Sequence, residues 1–210
     1  KNINYEAKNI DIYKEDTTNE LFGAIGLHSE IDFSKKEGEL TQLLTPKILL
    51  KLSPGSMRKE EDGYILSPSR AFDIDRLNNI NNFETGNSAT LGFDFNIKEK
   101  NIDKFNFSVA QIINEEENKK HNSKTSLDEK LSDLVGASSL RINNNLELDY
   151  NFAIDQNYNE FNFNDFGSKL KFGNLGVNFN YIEENNHIGD KKYFKTKIGF
   201  DNQENRLVSF

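Results

Sequence analysis

The chain has 210 residues, a formal net charge of −8, no cysteine and 17 phenylalanines, and only 35% of its residues are hydrophobic. These values exclude disulfides and thiolate metal sites, a basic nucleic-acid-binding surface and, because no run of about 18 apolar residues occurs, a transmembrane helix. A mean hydropathy of −0.73 combined with many aromatic residues indicates a sheet with one apolar and one polar face rather than a disordered chain.

Alternation of apolar and polar residues predicts antiparallel strands along the chain, because successive side chains of a strand point to opposite faces. The predicted strands are residues 3–13, 20–35, 39–54, 87–99, 104–115, 134–142, 146–155, 160–172, 175–184, 192–201 and 206–210. Pro46 cannot donate to a ladder, so it predicts a bulge, an edge or a strand end. Ser126 and Glu129 have capping-box spacing, which predicts a short helix over residues 126–132.

The connections between these strands alternate in length. Short Asn- and Gly-rich links, which form tight turns, follow the second, fourth, sixth, eighth and tenth strands. Longer links follow the first, third, fifth and ninth strands, the longest over residues 55–86, and only the link at 156–159 breaks the contrast. Turns at one end and loops at the other are typical of an all-β, antiparallel up-and-down transmembrane β-barrel, whereas a soluble sandwich has no reason to sort its loops.

The alternation also assigns side chains to the two faces of such a barrel. If the apolar face meets lipid, the lipid-facing residues are Phe93, Phe95, Phe105, Phe107, Val109, Tyr150 and Phe152. The lumen-facing residues are then Asp94, Asn96, Asn106, Ser108, Asp149 and Asn151. Because the chain contains no Trp, any aromatic girdle at the membrane interface is built from Tyr and Phe.

No residue pattern indicates catalysis or a cofactor. His28, His121 and His187 lack the spacing of metal ligands. Asp73 and Asp75 suit a divalent cation, but a polar loop with local Asx hydrogen bonds is the interpretation we favour. Neither a nucleophile–base arrangement nor a glycine-rich phosphate loop is recognisable. The sequence therefore predicts a protein that is not an enzyme and that carries no cofactor or metal.

Three stretches in residues 40–114 carry distinctive motifs. Residues 40–47 read Leu-Thr-Gln-Leu-Leu-Thr-Pro-Lys and include Pro46. The second stretch begins with Asp75 and Arg76 and ends with a Thr-Gly pair at Gly86, and residues 105–112, Phe-Asn-Phe-Ser-Val-Ala-Gln-Ile, include Gln111. In their residues, their order and the gaps between them, these stretches resemble the barrel domain of the LPS-assembly outer-membrane protein family (LptD, or organic solvent tolerance protein).

This resemblance implies that residues 1–210 are one domain fragment from the middle of a larger barrel, of which about eleven strands are present. The family's periplasmic domain and its two seam-forming barrel ends would lie outside it. The implied function is non-catalytic export of lipopolysaccharide (LPS) into the outer leaflet of the outer membrane of a Gram-negative bacterium. The implied partners are LPS, a lipoprotein plug in the lumen, a periplasmic bridge protein and outer-membrane lipids.

Two other functions remain open from the residues alone. A porin-like diffusion channel, or another outer-membrane barrel, shares every pattern except the three family stretches. A soluble or surface-exposed β domain used for adhesion shares the alternation, but it would stay monodisperse without detergent.

Overall fold

The computed structural model of the chain describes residues 1–8, 16–77, 79–185, 191–202 and 206–209. Within these ranges the chain forms thirteen strands, one short α-helix and one 3₁₀ turn. The strands are β1 (Asn2–Ala7), β2 (Asp16–Leu21), β3 (Ile25–Glu30), β4 (Phe33–Glu37), β5 (Leu40–Leu52), β6 (Ser88–Glu99), β7 (Ile102–Asn114), β8 (Leu134–Asn143), β9 (Leu146–Ile154), β10 (Phe161–Phe172), β11 (Leu175–Glu184), β12 (Lys191–Asn202) and β13 (Arg206–Ser209). The α-helix is α1 (Pro68–Ala71), and the 3₁₀ turn is Ser123–Thr125.

The strands from β5 to β13 pair in chain order and antiparallel, which is an up-and-down arrangement. β3 and β4 both pair with β5 and complete an 11-stranded sheet, while β1 and β2 form a separate two-stranded sheet. The edges of the 11-stranded sheet are β13 on one side and β3 with β4 on the other, so the described sheet is open rather than a closed barrel. Among the described residues no helix is both long and apolar enough to cross a bilayer.

The up-and-down order places the described tight turns at one end of the sheet and the described loops at the other. The turn between β6 and β7 consists of Lys100 and Asn101, both with positive φ (51° and 63°), as a two-residue hairpin turn of type I′ requires. At the opposite end lie three loops, called here L1 (residues 53–87), L2 (residues 115–133) and L3 (residues 155–160). The predicted sorting of turns and loops is confirmed for these connections.

Every predicted strand between residues 39 and 201 agrees with an observed strand to within two residues at each end. The predicted first strand corresponds to β1, and residues 9–13 of that prediction lie outside the described residues. The predicted last strand corresponds to β13, with residue 210 likewise outside them.

The predicted single strand over residues 20–35 is wrong, since β2, β3 and β4 replace it. The break between β3 and β4 falls opposite Pro46, whose carbonyl accepts a bond from the N–H of Ile31 (3.3 Å). Pro46 has no N–H to return on that side, and the side chain of Asp32 instead accepts a bond from Thr45 Oγ1 (2.6 Å). Of the three predicted alternatives, a bulge and a strand end are wrong, since β5 continues past Pro46 in register with β6. A local edge is correct, because neither β3 nor β4 pairs with Pro46.

The predicted helix over residues 126–132 is also wrong. Ser126 has a left-handed backbone (φ 56°), and its hydroxyl accepts a bond from the N–H of Asp133 (2.9 Å) rather than capping a helix. The segment then runs beside β7, because the N–H of Ser132 donates to the carbonyl of Ile112 (2.9 Å) and Lys130 accepts from Asn114 (2.8 Å). Pairing with the sheet thus outweighs the local capping signal.

The hydrophobic core lies at the loop end, where L1 and L2 pack against β7, β8 and β9. Its members are Leu66, Ala71, Ala110, Ile112, Leu127, Val135 and Ala153. This core joins the loops to the wall of the sheet and leaves the opposite face of the sheet uncovered.

Candidate functional site

Cross-strand pairing assigns the predicted site residues to two faces. Asp94 pairs with Ser108, and Phe95 pairs with Phe107, so acidic and aromatic positions alternate in step on β6 and β7. Across β8, the pairing continues to β9. One face, called here the polar face, carries Asp94, Asn96, Asn106, Ser108, Asp149 and Asn151. The other, the apolar face, carries Phe93, Phe95, Phe105, Phe107, Val109, Tyr150 and Phe152.

The polar face combines amides and hydroxyls with charges that are paired across strands. Lys169 forms ion pairs with Glu147 (2.9 Å) and Asp149 (2.8 Å), and Lys47 pairs with Asp94. A groove of about 400 Å³ lies on this face, lined by Asn106, Ser108, Ala137, Ser138, Ser139, Asp149, Asn151, Lys169 and Asn180. The groove therefore offers many hydrogen-bonding groups and little uncompensated charge.

The apolar face presents aromatic rings in contact with one another. Phe93 and Phe107 have ring centroids 5.8 Å apart, and those of Tyr150 and Phe152 are 5.6 Å apart. Near the two edges of the sheet, Leu27 of β3 and Phe194 of β12 lie on the same face and are 66% and 68% exposed. An apolar surface of this extent is unusual for a protein surface in water.

L1 folds across the polar face near the loop end. The carbonyl of Ala71 accepts a bond from Thr90 Oγ1 (3.0 Å), and Thr90 is fully buried. The ring of Phe72 lies 5.7 Å from that of His28. A Cβ on Gly92 would lie 2.3 Å from the carbonyl oxygen of Val109 and 3.1 Å from the Phe72 ring, so this position requires glycine. The strand thus provides the space that L1 occupies.

A buried ion cluster anchors L1 to the sheet. Glu84 accepts bonds from Arg76 Nε (2.9 and 2.8 Å) and from the Arg76 backbone N–H (2.9 Å), and it forms an ion pair with Lys51 of β5 (2.8 Å). Arg76 Nη2 also donates to Ser88 Oγ of β6 (3.1 Å). Asp75 accepts a bond from the N–H of Glu84 (3.1 Å). Lys51 of β5 and Arg76 of L1 therefore meet at the Glu84 carboxylate, and Arg76 extends the cluster to β6.

The electrostatics of this cluster favour the ionised carboxylate. Burial by itself raises the pKa of Glu84, but the charges and hydrogen bonds of Arg76 and the charge of Lys51 outweigh burial and lower it to about 2. Arg76, Lys51 and Glu84 are only 1–2% exposed. The cluster is thus a set of compensating buried charges at neutral pH.

The remaining family-motif positions have structural contacts at the loop end or in the wall. Gly86 has a positive φ of 113°, and its N–H donates to the carbonyl of Ser53 (2.8 Å). Gln111 Nε2 donates to the carbonyl of Ser132 (3.0 Å), and its Oε1 accepts from the hydroxyl of Tyr158 (2.7 Å). Gln111 thereby joins L2 and L3 to β7, whereas Pro46 lies apart from both contacts, in β5.

Sequence reasoning identified Asp75 and Arg76 but missed Lys51 and Glu84. Lys51 interrupts the apolar end of its strand, and an unexplained charge at such a position is the signal that indicates a buried partner. Asp75 also forms an ion pair with Lys1 (3.5 Å), so its carboxylate contacts both L1 and the start of the chain.

The two histidines within the described ranges, His28 and His121, have different surroundings. His28 lies beside Phe72, and His121, in L2, is only 7% exposed. Burial lowers the pKa of His121 to about 4, so its imidazole is neutral at pH 7. His187 lies outside the described residues. Across the part of the chain that the structure describes, no group of three or more His, Cys, Asp or Glu side chains is arranged to hold a metal ion.

Comparison with known protein families gives a match over residues 16–204 to the family described as LptD, LPS transport system D. No curated protein matches the chain. The match includes L1, with Asp75, Arg76 and Gly86, and the strands that carry the polar and apolar faces. It confirms the family resemblance found in residues 40–114. The chain therefore belongs to the LptD family, a family of outer-membrane transport proteins rather than enzymes.

Proposed function

We propose that this chain forms wall strands and external loops of an outer-membrane barrel that exports LPS to the outer leaflet by passage, without catalysis. The observation that carries the proposal is the sheet itself: consecutive antiparallel strands have a continuous, exposed apolar face opposite a polar one. Membership of the LptD family names the cargo class. In the proposed barrel the sheet is one section of the wall, and further strands close it.

The polar face is proposed to line the lumen. Its groove has the amide and hydroxyl groups of Asn106, Ser108 and Asn151, which form hydrogen bonds with sugar hydroxyls as readily as with water. Its charges are paired, as in Lys169 with Asp149, so the polar sugar part of LPS meets little fixed charge. The acyl chains are proposed to leave sideways through a seam of the barrel.

The apolar face is proposed to meet the hydrocarbon layer, with the turn end in the periplasm and L1, L2 and L3 outside. This orientation follows from loop length, since outer-membrane barrels have short periplasmic turns and longer external loops. The partners proposed for this arrangement are outer-membrane lipids at the apolar face, a lipoprotein plug in the lumen and a periplasmic bridge protein that delivers LPS.

Photocrosslinking in living cells tests this function. A photoreactive amino acid is placed in the full-length protein at Asn106 and Ser108, and at Phe105 and Phe107 as matched neighbours on the other face. We expect LPS or lipoprotein adducts from the Asn106 and Ser108 positions alone.

Absence of adducts at all four positions, in correctly inserted protein, would favour a diffusion channel and contradict LPS export. Recovery of the full-length protein as a monodisperse species without detergent would contradict the membrane barrel and favour an adhesion domain.

A further inference from the structure

One carboxylate connects L1 to the wall of the sheet. Glu84 and Arg76 both belong to L1, whereas Lys51 is in β5 and Ser88 opens β6. Within the cluster, two contacts cross from loop to wall: the ion pair of Glu84 with Lys51 (2.8 Å) and the hydrogen bond from Arg76 to Ser88 (3.1 Å). The bonds between Arg76 and Glu84 stay within L1, and they orient the Glu84 carboxylate towards Lys51.

The charge balance of the cluster depends on Glu84. Lys51 and Arg76 are two cations, each only 1–2% exposed, that lie on the same carboxylate. Removing one partner of a buried ion pair is strongly destabilising, because an uncompensated charge stays buried. Without the carboxylate, the guanidinium of Arg76, which stays charged, regains its hydration if L1 moves away from the wall.

The segment held in this way covers part of the polar face. Residues 71–74 of L1 begin at the last residue of α1 and cross from β6 towards β3. Ala71 bonds to Thr90, and Ile74 lies 3.1 Å from where a Cβ of Gly26 would be. The anchored cluster and this covering segment are joined by only a few residues, because Arg76 follows Ile74 by two positions.

We infer that Lys51, Glu84 and Arg76 form an ionic latch that holds L1 across the polar face, so that breaking the latch uncovers this face at Thr90. Lys51 and Glu84 are therefore positioning residues, which hold L1 in place. The inference concerns the conformation of the chain and holds whatever molecule moves along the polar face, so it goes beyond the proposed export function. If the export proposal is correct, the latch sets how much of the lumen is open at the loop end.

The test measures the accessibility of one covered position in the purified full-length protein in detergent. Thr90→Cys introduces a thiol of nearly the same size under Ala71, and a charged, water-soluble maleimide reports its exposure. In this background we expect Glu84→Gln to raise the labelling rate by roughly a hundredfold and Lys51→Met, which leaves the Arg76–Glu84 pair intact, by roughly tenfold.

Glu60→Gln is the matched control. Glu60 is also a buried carboxylate of L1 (6% exposed), but its side chain bonds to Asn79 (3.0 Å) and Asn82 (3.2 Å) within the loop and not to the wall. We expect this variant to label at the rate of the parent. Folding of each variant is verified by the faster gel mobility of unheated barrel.

Slow labelling in folded Glu84→Gln and Lys51→Met protein would overturn the latch. Equally fast labelling in Glu60→Gln would overturn it too, because loss of any buried carboxylate would then free L1. If Glu84→Gln does not fold, Lys51→Met alone decides, with fast labelling supporting the latch and slow labelling rejecting it. None of these outcomes depends on LPS, so they remain separate from a failure of the crosslinking test.

Discussion

Buried ionisable side chains at the loop end behave differently according to their neighbours. Glu84 has two cationic partners and a pKa lowered to about 2, so it is charged throughout the physiological range. His121 is near the same group of charges but has no hydrogen-bond partner for its Nδ1 among the described residues. Burial dominates there, and the pKa of His121 falls to about 4, with Glu84 acting against this shift and Arg76 and Lys51 adding to it.

The first prediction concerns pH. The pKa of His121 is about 4 in the folded chain against an ordinary value of 6.5, so the unfolded state binds the proton first as the pH falls. The stability contributed by the neutral imidazole is present above pH 6.5 and is lost between pH 6.5 and 4, by up to about 3 kcal/mol. Urea unfolding of the full-length protein in detergent at pH 6.5 and 4.5 measures this loss.

His121→Gln is the variant that isolates the effect, because glutamine does not titrate. We expect the difference in unfolding free energy between the two pH values to shrink in this variant. The loss due to Glu84 falls mainly below its ordinary pKa of 4.5, so it contributes only about 0.4 kcal/mol within the window. An unchanged difference would show that His121 is not the group responsible.

A second prediction at this scale distinguishes the two faces. Phe107→Arg places a charge on the apolar face, which costs about 2–4 kcal/mol near the middle of a bilayer. Ser108→Arg points to the polar face, beside Asp94, and we expect little loss. Refolding equilibria of the two variants in lipid vesicles measure both values, and equal costs would contradict the assignment of the faces.

Among the elements, β5 is distinctive because it has two partners on one side. Its first part pairs with β4 and its last part with β3, and Pro46 lies between the two. Backbone groups of alternate residues point to the same side of a strand, so the missing N–H of Pro46 and the N–H of Leu44 both point towards β3 and β4. Leu44 is paired there with Phe33, whereas Pro46 faces the break.

This geometry predicts unequal effects on stability for two proline exchanges. Pro46→Thr adds an N–H at the break, and we expect the stability to change by less than about 1 kcal/mol. Leu44→Pro removes a donor from the ladder to β4, and we expect a loss of roughly 1–3 kcal/mol. Urea midpoints of the two variants provide the comparison, and a larger loss for Pro46→Thr would contradict the account of the break.

The elements also show what the sequence does and does not predict. Regular alternation sets strand type, register and face together, so β5 to β12 and the two groups of site residues follow from it. The strands in residues 20–35 do not follow from alternation, because the break between β3 and β4 depends on Pro46, a residue outside that segment. The helix predicted at Ser126 fails for the same kind of reason, since β7 competes for the backbone. A prediction from local sequence fails where hydrogen bonds to a neighbouring strand stabilise a different backbone conformation.

At the scale of the whole molecule, the wall and the loop end are built by different kinds of contact. The wall is periodic, whereas the loop end is an assembly of segments distant in sequence: Arg58 of L1 pairs with Glu20 of β2 (3.1 Å), and the N–H of Glu60 donates to Lys120 of L2 (2.7 Å). The latch around Glu84 belongs to this second part. No period in the sequence predicts such contacts, and family resemblance pointed to Arg76 without indicating its partners.

The pairing of Lys51 with Ser88 closes L1 at its base, and this closure has an entropic consequence. Once the two ends of a loop are held together, the cost of closing it grows only with the logarithm of its length, by about 0.6 kcal/mol for each doubling. The wall therefore places almost no limit on how long L1 is. Its length is constrained instead by its contacts, those of Arg76 with Glu84 and those of Leu66 and Ala71 with the core, so lengthening is disfavoured between the residues that make them.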